Sequence, residues 1–568
     1  MRADCKNSFL MFIKSSTSNQ LNLFTGTHTL LTNRALKQYE DNQMWHNQFR
    51  THVTGRIDET VFRPLFCENF GAPNAPIRIL VGMMVLKEAQ GWSDAQLFEA
   101  CLYNLLVRSA LGLMNLNDAI PATSTYYLLR KRIVDWEEEG HENLMEKIFS
   151  QITKSQALEF HVNGKKIRMD SKLMGSNIAW YSRYQLIHET LSQVYHRFKS
   201  EIDRLLSETE IQLLKEISGE SGDKVCYRST TAEIEAKMTA IGVVIQKMIS
   251  QIGNHSSSFV QTLCRVFNEQ YQVVDDAVHP RDKKQISASS VQSPHDPDCH
   301  YRKKGDQQVK GYSINITETC DKEQSLNLVS CVQVETASAA DCDFLQPAIE
   351  KSQQVIAGKV ETVNTDGAYH SVDNQGYCQE KGVDLVTGAI QGQPSRYDLN
   401  KDAKGQLMVT DLTTDTTIVA RPVASHKEGA EQKWAIRNEK GKNRYFTQKE
   451  IDTCLLRKQI AARGQAEINV RNNVEATIFQ LGYHYSNAKS RYRGMIKHKM
   501  WANARCLWIN FVRILNFVAE GGSICEQIRK NRQMLPVFML KFVKSRHFVS
   551  SVRIFSLPLT EKRFLAVL

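Results

Sequence analysis

Apolar residues recur at helical spacing through the first quarter of the chain. Residues 77–86 are almost continuously apolar behind Pro73 and Pro76, as expected of a buried helix. Ser93-Asp-Ala-Gln96 has the form of a capping box, Leu97, Cys101 and Leu105 follow at every fourth position, and Gly112 closes the segment. Beyond Pro121, Ser124 is placed to cap a second helix carrying Arg130, Lys131 and Arg132. Helix, turn and basic helix make a helix-turn-helix pattern, and a generic helical bundle fits the same residues. Residues 1–55 are polar and unpatterned and read as a loose lead-in; residues 56–150 read as a helical, DNA-binding N-terminal domain.

The pattern then changes. Leu158-Glu-Phe-His-Val162, Asn163-Gly164 and Lys165-Lys-Ile-Arg-Met169 read as a hairpin that ends at Asp170. Ile187, Leu191, Val194, Phe198, Ile202 and Leu205 return to helical spacing, as do Ile234, Met238, Ile241, Ile245, Met248 and Ile252. With a loop over 218–229 these predict an antiparallel helical hairpin. Alternation over 312–317, a β-rich run over 326–334, a helical stretch over 344–355 and a strand over 359–363 follow. Short alternating pieces between 380 and 450 predict a small β insertion, and from Gln448 helix dominates. The fold class expected is mixed α/β.

Composition narrows the function classes. The 568 residues suffice for several domains, and 42% hydrophobic with 23% charged residues is a globular balance. No run approaches the ~18 apolar residues needed to span a bilayer, and Phe9-Leu-Met-Phe-Ile13 is shorter than a secretory h-region. Thirteen cysteines without a C-x-x-C pair point to free thiols in a reducing cytoplasm. The net charge is +11, and its distribution is uneven: residues 476–568 hold 16 Lys/Arg against 3 Asp/Glu, which leaves residues 1–475 at −2. Lys489, Arg491, Arg493, Lys497, Lys499, Arg505 and Arg513 interleave with Tyr483, Tyr485, Tyr492, Trp501 and Trp508. That mixture predicts a nucleic-acid partner, and the aromatics equally suit a helix core.

Two acids stand at predicted strand ends, Asp170 and Asp366, and Glu475 lies in a helical stretch. Hard oxygen ligands of this kind suit Mg²⁺, and a pair of such ions assists phosphodiester chemistry. Gly367 offers close backbone approach to a substrate. His295, Cys299 and His300 match no common zinc spacing and read as a loop before a strand.

Residues 166–179, Lys-Ile-Arg-Met-Asp170-Ser-Lys-Leu-Met-Gly-Ser-Asn-Ile-Ala, resemble the first catalytic block of DDE transposases of bacterial insertion sequences. Thr365-Asp366-Gly-Ala-Tyr-His-Ser371 resembles the second block. Arg471-Asn-Asn-Val-Glu475, with Ser490-Arg-Tyr-Arg-Gly494 downstream, resembles the third. Also similar are residues 293–304 and Val309-Lys-Gly-Tyr312, and the helical region from Asp58 to Arg132, with Gly91-Trp-Ser-Asp94 and Ala110-Leu-Gly112, resembles the N-terminal domain of such enzymes. The resemblance covers about residues 55–515. It implies an RNase H-like catalytic domain over 156–515, interrupted by a helical insertion (about 180–285) and the β insertion, with a basic tail at 516–568. It further implies that Asp170, Asp366 and Glu475 bind two Mg²⁺ ions, for which Mn²⁺ can substitute, to cut transposon ends and join the 3′-hydroxyl to target DNA. Terminal inverted repeats and target DNA would be the partners, a homodimer would form at synapsis, and the setting would be cytoplasmic and nucleoid-associated. Arg130, Lys131, Arg132, Arg471, Lys489, Arg491, Arg493, Lys497 and Lys499 are the candidate DNA contacts. Ile468 and Gly482 stand where the related pattern has Tyr and Lys; Lys489 or Arg491 is then the substitute cation, and Glu467 is the rival third acid. A nuclease without strand transfer, or an inactive DNA-binding copy, fits the same blocks.

Overall fold

The structure is a computed structural model that describes residues 10–15, 24–68, 71–321, 323–324, 326–390, 392–402, 405–423, 432–437, 441–464, 467 and 469–521. The expected basic tail therefore lies outside the described residues beyond 521. The chain divides into two compact units, residues 1–162 with 322–328 and 499–568, and residues 163–321 with 329–498. No described helix is long and apolar enough to cross a membrane.

The first unit is mainly helical. A short parallel pair joins β1 (Leu10–Met11) to β2 (Ala72–Pro73). Helices α1 (Asn33–Glu40) and α2 (Trp45–His52) form inside the expected lead-in. Their signal is weak in sequence because only a few positions are buried: Tyr39 on α1, and Phe49 and three polar neighbours on α2. Phe49 meets Phe511 of the C-terminal helix edge-on at 5.1 Å. Helix α3 (Ile77–Gln90) is buried on nearly all sides and stops at Gly91, whose φ of 65° is left-handed. The capping box at Ser93 opens α4 (Asp94–Tyr103) as expected. A short α5 (Leu105–Leu111) ends at Gly112. Helix α6 (Thr123–Glu138) is capped at Ala122, two residues before the expected cap Ser124, and without a side-chain cap. The unit is completed by α7 (Leu144–Glu159) and by residues 499–519 of the C-terminal helix Met495–Ala519.

Here one expectation fails. Residues 158–159 close α7, because Ile148, Phe149, Ile152 and Ala157 continue its buried face, and His161 turns the chain with φ 52°. Only the second arm of the expected hairpin is a strand, β3 (Lys166–Gly175).

The second unit is built around β3. After it come α8 (Arg183–Ile202), α9 (Glu208–Gly219), α10 (Gly222–Arg228), α11 (Thr231–Ile252) and α12 (Ser258–Gln270). They share a core of Leu191, Val194, Ile241, Ile245 and Leu263. The expected hairpin is thus a five-helix module: Val225 is buried, which turns the expected loop at 218–229 into α10. A hairpin, β4 (Tyr271–Val274) and β5 (Ala277–Pro280), leads to β6 (His300–Lys304), β7 (Gln307–Thr319) and β8 (Val329–Thr336). Then come α13 (Leu345–Ile356), β9 (Thr362–Thr365), α14 (Val372–Lys381) and β10 (Asp384–Thr387). The main sheet has the order β10-β9-β3-β7-β6, with β8 also on β7. β3, β9 and β10 run parallel, while β7 is antiparallel to β3, β6 and β8. Ile167, Met169 and Val363 pack with Phe344, Leu345 and Ile349 on one face.

Residues beyond β10 form a separate antiparallel sheet: β11 (Tyr397–Lys401), β12 (Leu407–Asp411), β13 (Thr416–Val423), β14 (Lys433–Arg437) and β15 (Asn443–Thr447). Leu399, Leu407, Val409, Trp434 and Phe446 give it its own core with Ile451 of α15 (Gln448–Ala462). The insertion is narrower than the 380–450 expected, since β10 belongs to the main sheet. Arg463, just past α15, holds Asp384 of β10 with both guanidinium nitrogens, at 3.1 and 2.7 Å. After α15 the chain reaches α16 (Val474–Gly482).

Candidate active site

Side chains alternate across a strand, so Arg168, Asp170, Lys172 and Met174 share one face of β3. In the parallel pairing Arg168 lies opposite Asn364. Two residues further on each strand come Asp170 and Asp366, so the register sets the carboxylates side by side on strands ~4.8 Å apart. Asp366 stands just past the end of β9, whereas Asp170 lies in the middle of β3 and not at the strand end expected, because β3 continues to Gly175 in its ladder with β7. Asp366 caps the 3₁₀ turn that follows β9, accepting from the Ala368 amide at 2.8 Å.

The third acid arrives by helix. A 3₁₀ turn, Arg471–Asn473, leads into α16, whose first turn carries Glu475. Nη2 of Arg471 lies 2.9 Å from Asp170 Oδ2, 4.0 Å from Asp366 Oδ2 and 3.8 Å from Glu475 Oε1. One guanidinium nitrogen thus faces carboxylates 105 and 301 residues away on the chain as well as one four residues away. The rival Glu467 is held elsewhere, by Arg463 at 2.8 Å. Ile468 lies outside the described residues.

Burial is the largest influence on Asp170 and pushes its carboxyl above the usual range, with the Asp366 charge adding to the shift. The Arg471 charge and the Ser171 amide oppose it. Nε of Arg471 is buried with no hydrogen-bond partner. Among the described residues, no three of His, Cys, Asp and Glu already surround a common metal position; the Arg471 nitrogen lies between the acids. The donor set itself is all carboxylate oxygen, as a hard divalent ion prefers.

Helix α16 is fixed by a residue that the sequence patterns did not single out. Glu318 of β7 is fully buried and sits opposite Arg168 in the β3–β7 register. Its Oε1 accepts from Arg168 Nε at 2.6 Å, and its Oε2 accepts from the Thr477 hydroxyl at 2.7 Å. Arg168 also donates to the Val470 carbonyl at 3.1 Å. This network ties the helix bearing Glu475 to the strand bearing Asp170. Asp296, in the region expected to be a loop, is a second tie: it accepts from Ser176, from the Tyr312 hydroxyl at 2.5 Å and from the Gly494 amide at 2.9 Å. Of the zinc candidates there, His295 lies 3.2 Å from Glu189, Cys299 is buried, and His300 contacts the Ser338 hydroxyl at 2.6 Å. Tyr369 is buried beneath the site with its hydroxyl on Asn315 at 2.7 Å.

Gly367 has a different role from the one expected. A Cβ there would collide with the backbone carbonyl of Ala389, so the glycine admits a neighbouring loop, not a substrate.

The candidate DNA contacts divide. Arg491, Arg493 and Lys497 are exposed, although Arg493 donates to the Asn177 carbonyl at 2.6 Å and Arg491 lies over the Tyr485 ring. Lys489 donates to the Ile178 carbonyl at 2.9 Å. Lys131 is exposed and paired with Asp135. Arg130 faces Asp94 at 3.9 Å, and Arg132 is half-buried over the Phe66 ring at 5.1 Å. Lys499 is bound to Glu137 at 2.9 Å. Arg505 is buried, donating to the carbonyls of Glu88 and Ala89 at 2.9 and 2.8 Å. Trp501 is buried too, and Trp508 packs on Phe511 at 5.1 Å. Part of the basic, aromatic-rich segment is therefore helix core.

Residues 37–132 match the family model of a transposase domain (DUF772). The match supports a transposase family for the chain. Neither a curated protein nor a solved structure matches it.

Proposed function

We propose that the chain is a DDE transposase of an insertion sequence, with an RNase H-like core, that cuts DNA at the element's ends and joins the freed 3′-hydroxyl to target DNA. The observation that carries this reading is the convergence of Asp170, Asp366 and Glu475 on one Arg471 nitrogen. The sheet supports it: three antiparallel strands (β3, β7, β8), then two parallel ones (β9, β10), with β3 central, is the strand order of an RNase H-like core. The transposase-domain match over residues 37–132 supports the same class.

The three carboxylates are the groups that would hold divalent cations, Mg²⁺ or Mn²⁺. When bound, two such ions activate the attacking oxygen and stabilise the leaving one. The chain's own residues do the rest. Burial of Asp170 keeps water from screening its charge. Arg471, with an unpartnered Nε, is placed to turn its guanidinium toward a phosphate once another cation neutralises the acids. Exposed Arg491, Arg493 and Lys497 contact the DNA backbone, which positions the duplex without reading sequence. Joining two ends requires two bound ends at once, so a homodimer is the expected reacting form.

The test is Mg²⁺-dependent cleavage of DNA carrying the inverted repeats that flank the gene. Cuts at the repeat ends, lost in Asp170→Ala, Asp366→Ala and Glu475→Ala and followed by joining to a second DNA, are the expected result. Cuts without joining would make the protein a nuclease, and end binding without any cut would make it a DNA-binding copy.

A further inference from the structure

Lys172 shares the face of β3 that carries Asp170, and no acidic partner for it is found among the described residues. It follows Asp170 by two positions, so its side chain leaves the same face ~7 Å further along the strand. Its Nζ comes up against α16 where a side chain at position 482 would begin: a Cβ on Gly482 would overlap the ammonium and stand 3.0 Å from Lys172 Cε. Its hydrogen bond is to the Ile478 carbonyl, at 3.3 Å. Glu475, Ile478 and Gly482 lie at positions i, i+3 and i+7, on one face of α16. The ammonium is thus about two helical turns, ~10 Å, along that face from Glu475.

The side chain is half-buried. A half-buried ammonium with a single neutral acceptor lacks most of what it loses from water. An incoming anion would restore it. The absence of any side chain at Gly482 leaves the room that the lysine fills.

We propose that Lys172 is a phosphate-binding residue of the carboxylate site, delivering from strand β3 the cation that Gly482 does not deliver from helix α16. It grips the DNA backbone next to the phosphate being attacked, and so positions the strand. The proposal rests on the reading of the site as one that takes DNA.

The experiment measures binding of a fluorescently labelled DNA duplex by the full chain across a salt series, without divalent ions, for native protein, Lys172→Met and the swap Lys172→Ala/Gly482→Lys. Each phosphate contact contributes ~0.9 to the slope of log affinity against log salt. Lys172→Met is expected to lower the slope by ~0.9, which is roughly an eightfold weaker affinity at 0.1 M salt, with a urea midpoint at or above that of the native protein. The swap is expected to restore the native slope. An unchanged slope in Lys172→Met while native protein binds and cuts DNA overturns this proposal alone. A lowered slope that the swap does not restore overturns the positional equivalence on which it stands. Failure of native protein to bind DNA at all overturns the parent reading with it.

Discussion

Glu318 makes the sharpest quantitative test. Its carboxylate is fully buried and holds two elements together, Arg168 through one oxygen and Thr477 through the other. The Arg168 side chain is only 10% exposed. Glu318→Ala strands that guanidinium in the interior and removes the carboxylate acceptor of the Thr477 hydroxyl. Breaking a buried pair by removing one partner costs about 3–5 kcal/mol, against a typical domain stability of about 5–15 kcal/mol. Replacing both partners, Arg168→Met with Glu318→Leu, removes the orphaned charge and should recover most of the loss. Thr477→Val removes one hydrogen bond to a charged group, about 1.5–3 kcal/mol. The assay is urea unfolding followed by proteolysis at sites in residues 163–498, which isolates the unit concerned from the other. A cost below about 1 kcal/mol for Glu318→Ala, or a double variant no better than the single, would refute the reasoning.

Other predictions follow from the same geometry. Gly367→Ala drives a methyl into the Ala389 carbonyl; a loss of about 1–3 kcal/mol in a urea melt is expected, and Mg²⁺-dependent cutting should fall because Asp366 moves. Asp170 titrates above its unfolded value, so in metal-free protein it favours folding fully below the ordinary carboxylate value, about 3.9, and that contribution is lost as pH rises through the raised folded value. Asp170→Asn should therefore flatten the fall in stability with rising pH that paired urea melts detect in the native chain. Arg505→Met removes two hydrogen bonds to carbonyls inside the first unit; stability should fall by about 1.5–3 kcal/mol for each, while the salt dependence of DNA binding stays unchanged.

What the sequence made legible was what short range decides. The capping box at Ser93, the apolar run of α3 and the alternation within β7 each rest on neighbours a few residues apart, and each formed where expected. The hairpin at 158–169 failed because five residues of alternation could not outweigh a helix already packed through Ile152 and Ala157. The basic C-terminal segment read as one surface because charge counts carry no burial; only packing separates Arg505 and Lys499 from Lys497. Asp170, Asp366 and Glu475 were named from motif resemblance, and their meeting at Arg471 is a consequence of register. Glu318 and Lys172 had no local signal. Their partners sit 150 and 306 residues away, on elements whose proximity no periodicity encodes.

The clasp between Asp384 and Arg463 makes the chain between them a cassette. Seventy-nine positions apart, the two residues are joined by a bidentate ion pair, so the polypeptide leaves the main sheet and returns to it at nearly one point. Beyond β10, the sheet β11–β15 and α15 share a core of their own. The cassette's length is therefore free to drift, and it can be shortened, exchanged or fused to a reporter without altering the lever arm that sets Glu475 against Asp170 and Asp366. The 109-residue gap between the second and third acids measures the cargo the fold carries there, not the distance across the site.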